Sequence, residues 1–315
     1  MKTYRQIFVY DPKIGYKFLP NLKVTIVGDS RDEMEDYKLV IDKFGYRNDL
    51  KDFSFNNNIY NVNNLFIGCS FTAGDGIINE LRFTNLIGNS YNAGLSGSCN
   101  IQQLSIAEDC SKFLNPKRLI FSPYIGCLSR NDLSCRSSDF LFTRHKWHKP
   151  YFEMKDNKIA IRNLPVPPPS LDFNSEINKK TSFSFKNLYQ DFIYSKIFSE
   201  RSRIKVLIKP YKSSMHFDLC KKLYSDAKKL FPNSRLILAP IPHLEFLKYS
   251  SSYEKSLIVN FFKSLSKDLN YEYFELISLM KNTNYEKLYY SIDGHLNKKG
   301  HLFLSESFKN LFIKK

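Results

Sequence analysis

The sequence predicts an α/β domain, a parallel sheet covered by helices on both faces. Two observations carry this. Short apolar runs alternate with amphipathic stretches over about 62–124 and again over about 216–313, and strands that alternate with helices imply parallel pairing. The apolar run Leu65-Phe66-Ile67 also passes directly into a small-residue turn, Gly68-Cys69-Ser70-Phe71-Thr72-Ala73-Gly74-Asp75-Gly76. A buried strand ending in such a turn is where an α/β protein brings its backbone close to a ligand.

Taken in order, residues 1–60 read as a β-rich lead-in with turns at Pro12, Pro20 and Gly28. Within it, 22–27 and 36–41 are expected to form a hairpin. The core opens with a strand over 62–67, the small-residue turn, and a helix over about 77–88. A strand over 90–94 is followed by a helix over about 99–114, where Ile101, Leu104, Ala107 and Phe113 recur at near-helical spacing. A strand over 118–124 closes the first half. The pattern resumes with a helix at about 216–230, striped by Cys220, Leu223, Ala227 and Leu230. A strand over 235–240, a helix over 253–267 and a strand over 271–277 come next. The last helix, about 297–313, carries Leu304, Phe308, Leu311 and Phe312 on one face. Residues 61–315 thus form one domain, a three-layer α/β/α arrangement on a flavodoxin-like parallel sheet of about five strands. It is interrupted at about 126–214 by an insertion containing a stiff proline run, Leu164-Pro165-Val166-Pro167-Pro168-Pro169, and a helix at about 184–202. An insertion placed after the third core strand sits at the carboxyl edge of the sheet, which makes it a candidate cap or lid.

Composition narrows the class. In 315 residues, 43% hydrophobic and 15% aromatic content is enough for a packed core and excludes a disordered chain. No window offers the ~18–20 apolar residues that span a bilayer, and the N-terminal apolar run is too short for a signal peptide. The six cysteines contain no Cys-x-x-Cys pair and read as buried reduced thiols, so a cytoplasmic location is expected. The net charge of +16 raises the question of an acidic partner. The lysines, however, are spread along a chain equally rich in Asn, Ile, Tyr and Phe, the signature of an AT-rich genome. No basic helix or aromatic RNA-binding block concentrates the charge, so nucleic acid is not the expected partner.

The chemistry is expected at two turns. Ser70 stands at the end of the first core strand, and a serine hydroxyl needs an adjacent base to become a nucleophile. Near the end of the chain, Asp293-Gly294-His295 supplies that base, His295, with Asp293 to orient it. Cys69 is a weaker nucleophile candidate because its side chain alternates away from that of Ser70. His301 reads as a packing residue of the last helix. The His145-Lys146-Trp147-His148 run lacks a Cys or carboxylate partner, and neither a metal nor a cofactor is expected.

Together these residues resemble the SGNH (GDSL-like) hydrolase and acyl-esterase superfamily, over roughly residues 60–125 and 215–313. The family's Gly-Asp-Ser block corresponds to Gly68-Cys69-Ser70, with Cys69 in place of the Asp. Its glycine block corresponds to Asn92-Ala93-Gly94-Leu95-Ser96-Gly97, and its final block to Asp293 and His295, although Asp-x-His is one residue shorter than the family's Asp-x-x-His. The third block, Gly-x-Asn-Asp, has only Asn131-Asp132 as a counterpart, about six residues beyond the strand it should follow. The resemblance implies an oxyanion hole formed by Gly97, the Ser70 amide and the Asn131 side chain. It implies a small acylated substrate, with an acetylated carbohydrate foremost. Hydrolysis and O-acyl transfer share that site. The altered blocks leave open a non-catalytic carbohydrate-binding protein on the same scaffold. The more literal motif Gly28-Asp29-Ser30 is read as a hairpin turn, because the charged run Arg31-Asp32-Glu33-Met34-Glu35-Asp36 follows it.

Overall fold

The computed structural model describes residues 7–136, 145–155, 158–171 and 200–313. Its centre is a sheet of five parallel strands with the spatial order β7 (Ser90–Gly94), β6 (Ile59–Gly68), β8 (Leu114–Ser122), β14 (Arg235–Leu238) and β15 (Glu272–Tyr273). Counted within the sheet this is the order 2-1-3-4-5, the flavodoxin-like winding, with its switch point beside the first strand. A short β5 (Ser54–Asn56) adds antiparallel to the start of β6.

The apolar centre of β6 decides its place. Leu65, Phe66 and Ile67 are all fully buried, as a strand covered on both faces requires. Phe66 meets Phe83 and Phe308 at ring-centroid distances of 5.3 and 5.1 Å. These belong to the helices Phe83–Ile87 and Lys298–Ile313 on one face. Phe121, paired with Ile67 and therefore pointing the other way, packs at 4.7 Å against Tyr224 of the helix Ser214–Leu230. That face is completed by the helices Asn100–Cys110 and Ser252–Leu269. The latter starts with a reciprocal cap. Glu254 N donates to Ser251 Oγ at 3.2 Å, and Ser251 N donates back to the Glu254 carboxylate at 2.8 Å.

Several expected elements are shorter than the sequence predicts: the helix over 99–114 ends at Cys110 and the strand over 235–240 at Leu238, and two others change more. The stretch 77–88 is not one helix but a 3₁₀ turn at Asn79–Leu81 and the short helix Phe83–Ile87. The break falls at Arg82, whose extended backbone (φ −63°, ψ 139°) separates the two pieces; just before them the buried Arg47 guanidinium donates to Ala73 O, Gly74 O and Ile77 O. The strand expected over 271–277 ends at Tyr273, and the helix Leu276–Lys281 follows. Its Leu276, Ile277 and Met280 are buried, a helical spacing compressed into too few residues to be distinguished from a strand.

The lead-in forms two hairpins, β1 (Phe8–Asp11) with β2 (Gly15–Phe18) and β3 (Lys23–Ile26) with β4 (Tyr37–Val40). In the insertion, β10 (His145–His148) lies between β9 (Cys135–Arg136) and β13 (Ser170–Leu171), and β11 (Tyr151–Lys155) pairs with β12 (Lys158–Arg162). Trp147 of β10 packs on Phe8 and Tyr16 at 6.4 and 5.9 Å, tying the insertion to the lead-in. The proline run holds neither helix nor strand and is tacked down by Val166 N–H donating to Pro12 O at 2.7 Å. The helix expected at about 184–202 lies outside the described residues up to 199; from Glu200 the chain is helical to Ile208. Among the described residues no helix is long and apolar enough to cross a membrane, and all six cysteines are free and buried.

Candidate active site

β6 delivers Ser70 to the carboxyl edge of the sheet at the switch point. Cys69 is the extended residue before a single helical turn, Ser70–Ala73. This turn packs so closely on β7 that a Cβ on Gly94 would collide with Ala73 N. On the opposite side of the site, residues 290–295 form a tight loop in which Tyr290 N donates to His295 O at 2.8 Å and Gly294 N to Tyr290 O at 3.0 Å. Gly294 adopts φ +77°, and a Cβ there would lie 2.7 Å from His243 Nε2, so only glycine fits.

The two turns meet. His295 Nε2 lies 2.8 Å from Ser70 Oγ, and His295 Nδ1 lies 2.6 Å from Asp293 Oδ2. With Nδ1–H donated to the carboxylate, Nε2 is left as the acceptor for the serine hydroxyl. The Asp-x-His spacing therefore still closes the carboxylate onto the ring, and the same carboxylate also accepts His295 N–H at 3.3 Å. Burial pulls the imidazole toward its neutral form. The Asp293 hydrogen bond and charge, with Asp75 and Cys69 behind them, outweigh this and leave His295 raised above its ordinary value. Burial likewise opposes the Asp293 charge, but the His295 partner holds that carboxyl below the usual range.

Around this relay lies an aromatic wall. Phe71 stands 4.8 Å from the His295 ring and stacks on Tyr124 at 5.4 Å; His243 sits against both aromatics. His243 Nδ1 accepts the Glu245 amide, which places the ring proton on Nε2. Burial, with the neighbouring His295, pushes it down to about 3, so it is a neutral second histidine.

Cys69 Sγ lies 4.0 Å from Ser70 Oγ but is fully buried, and its side chain points inward. Burial works against its thiolate; hydrogen bonding from Cys127 and from the Phe71 and Tyr124 amides, with the charge of Arg130, holds the thiol down nonetheless.

The remaining predicted residues fall as follows. Gly97 adopts φ +75° in the turn after β7. Among the described residues, no acceptor takes the Gly97 or Ser70 amide hydrogen. Asn131 is fully buried in the 3₁₀ turn Ser129–Asp132, and its carboxamide is engaged with the start of the helix Asn100–Cys110. It donates to Asn100 Oδ1 at 3.1 Å and accepts Ile101 N–H at 3.2 Å. The structure thus brings Ser70, His295 and Asp293 together but ties Asn131 to a helix end. His301 is a packing residue, stacked on Phe83, with Nδ1 accepting the Phe83 amide at 3.2 Å. Among the described residues no group of His, Cys, Asp or Glu could hold a metal.

The chain is similar in structure to hydrolases of low sequence identity. One is a lipase/acylhydrolase from Enterococcus faecalis, with 10% identity and a TM-score of 0.42, covering 79% of this chain and 94% of that one. Another is a member of the lipolytic protein G-D-S-L family from Veillonella parvula, with 9% identity, a TM-score of 0.39, and coverage of 81% and 100%. A third is an acetyl xylan esterase from Butyrivibrio proteoclasticus, with 11% identity, a TM-score of 0.38, and coverage of 80% and 63%. No family model matches the sequence, and no curated protein matches it significantly.

Three residues at the site carry no motif in the sequence. His243, packed on Phe71, and Tyr290, bonded to Gly76 O, are joined to it only through the fold, and Asp32, which accepts the Asp293 amide, lies in the charged run after the Gly28–Ser30 turn. For Asp32 the sole available signal was a carboxylate beside a Gly-Asp-Ser turn, which is too common to single out.

Proposed function

We propose that this protein is a serine esterase or O-acyltransferase that works through an acyl-enzyme on Ser70. The observation that supports this is the continuous relay Ser70 Oγ–His295 Nε2–His295 Nδ1–Asp293 Oδ2, with spacings of 2.8 and 2.6 Å. His295 takes the serine proton as Oγ attacks the ester carbonyl. The developing oxyanion is met by the amides of Ser70 and Gly97, and losing one such donor typically costs about 3–4 kcal/mol of transition-state stabilisation. Collapse of the tetrahedral intermediate breaks the ester C–O bond, and His295 returns the proton to the departing alcohol. Water or an acceptor hydroxyl, deprotonated by His295, then attacks the acyl-serine and frees Ser70. The acyl group is proposed to be small, acetyl in the first instance, and its carrier a carbohydrate or similar polar molecule. That part rests on the sequence blocks shared with SGNH esterases.

The test is turnover of p-nitrophenyl acetate and of acetylated oligosaccharides. Activity that falls by at least about 10³-fold in Ser70→Ala is expected. Absence of turnover in the wild type, or turnover indifferent to Ser70, overturns the reading.

A further inference from the structure

Asp32 belongs to the charged turn of the β3–β4 hairpin, far from the active site in sequence. The residue is nevertheless only 7% exposed. All the acceptor bonds it makes there go to one short stretch of chain. Ser291 Oγ donates at 2.9 Å, Ile292 N–H is shared between the two oxygens at 2.9 and 3.0 Å, and Asp293 N–H donates at 2.6 Å. The backbone so gripped is the backbone of Asp293, whose own carboxylate holds His295 by both its amide and its ring. A free loop of this length would sample many conformations. Three donors converging on one buried carboxylate select one of them, since each charge-assisted bond is about twice as strong as a neutral one.

We propose that Asp32 is a positioning residue of the reaction: a carboxylate, supplied by the N-terminal lead-in, that sets the Asp293 backbone and through it the His295 ring against Ser70. This rests on reading Ser70, His295 and Asp293 as the catalytic relay. It gives the lead-in a role in the site and explains how the shortened Asp-x-His loop keeps its shape. Asp32 touches neither the proposed substrate position nor Ser70; it acts through Asp293. The charged and titratable groups that bear on His295 are Asp293, Asp75 and Cys69, with the neutral His243 alongside. Around the Asp32 end lie Glu35, Arg31 and the Tyr290 hydroxyl.

The experiment pairs two readouts on Asp32→Asn, with Asp32→Glu carrying the same readouts if the first variant does not fold. One is the imidazole titration of His295 followed by nitrogen NMR on the folded protein; the other is the rate of covalent labelling by a fluorophosphonate. The titration midpoint is expected to fall toward the ordinary ~6.5 of an unassisted histidine. Labelling is expected to slow by about 10–100-fold, the scale on which small misplacements act. On an Asp293→Asn background the same change should slow labelling by less than about threefold, because residues acting through one another are not additive. A folded Asp32 variant with an unmoved His295 titration and unchanged labelling overturns the proposal, as does a full multiplicative loss on the Asp293→Asn background. If the wild type fails to label while the Asp32 variant still shifts the His295 titration, the positioning role is supported and only the catalytic reading falls.

Discussion

The Tyr290 hydroxyl donates to Gly76 O at 2.9 Å, joining the loop that carries Asp293 and His295 directly to the turn that carries Ser70. The two halves of the relay lie 225 residues apart in the chain, and this buried bond ties them directly. Tyr290→Phe removes the donor and leaves the carbonyl unsatisfied, at a cost of about 1–3 kcal/mol. Thermal unfolding should register that loss, and kcat/KM should fall several-fold in a protein that remains folded. An unchanged kcat/KM would show that the two turns hold their spacing without it.

Arg47 should matter more for stability. Its guanidinium is fully buried and binds Ala73 O, Gly74 O and Ile77 O besides Asn79 Oδ1. Arg47→Met strands these acceptors together, and each buried unsatisfied group costs about 1–3 kcal/mol. Denaturant unfolding is expected to show a loss above about 3 kcal/mol, and Arg47→Lys should not recover it, because an ammonium lacks the planar fork.

The pH dependence of activity follows from His295. It must be neutral to accept the Ser70 proton, and its folded value is raised, so kcat/KM should rise through one ionisation above ~6.5. Asp293→Asn removes the partner that raises it. The midpoint should drop, and the rate should fall by about 10²–10⁴. If the rate falls less than about tenfold and the midpoint stays, Asp293 is not the orienting residue. The same shift has a stability sign. A raised histidine stabilises the fold fully below ~6.5, and that contribution is lost as pH climbs through the folded value.

His301 works the other way. Burial, with Arg47 and Arg82 nearby, pushes it down to about 3. Between about pH 6.5 and 3 the unfolded chain binds a proton there that the folded chain refuses, so stability falls on acidification by about 1.4 kcal/mol per pH unit for this group. His301→Gln should therefore lose about 2 kcal/mol less than the wild type between pH 7 and 5, measured by denaturant unfolding at each pH. Equal losses in both proteins would mean that His301 takes up its proton normally in the fold.

Much of this was legible before the structure. β6 announces itself as a short apolar run closed by a glycine-containing turn, β7 by the glycines that close it, and the terminal helix by its Leu304–Phe308–Leu311 stripe. Ser70 and His295 stood out because a small-residue turn and an Asp-Gly-His turn are local patterns. What stayed hidden was non-local. Arg47 reaches across to satisfy carbonyls of the serine turn, and the break of 77–88 falls at Arg82, which the apolar pattern does not mark. Asn131 matched the expected dipeptide but is engaged with the helix Asn100–Cys110. Asp32 looked like one carboxylate in a solvated charged run, and only the fold places it under Asp293.

The central claim is that Ser70 is an activated nucleophile. Fluorophosphonate labelling followed by peptide mass spectrometry tests it most directly, because the probe reacts only with a serine whose proton has a base waiting. The account predicts one label per chain, on the peptide containing Ser70. That label should be absent in Ser70→Ala and strongly slowed in His295→Ala. A wild-type protein that is folded and takes up no label, or takes it up at another residue, would contradict the account.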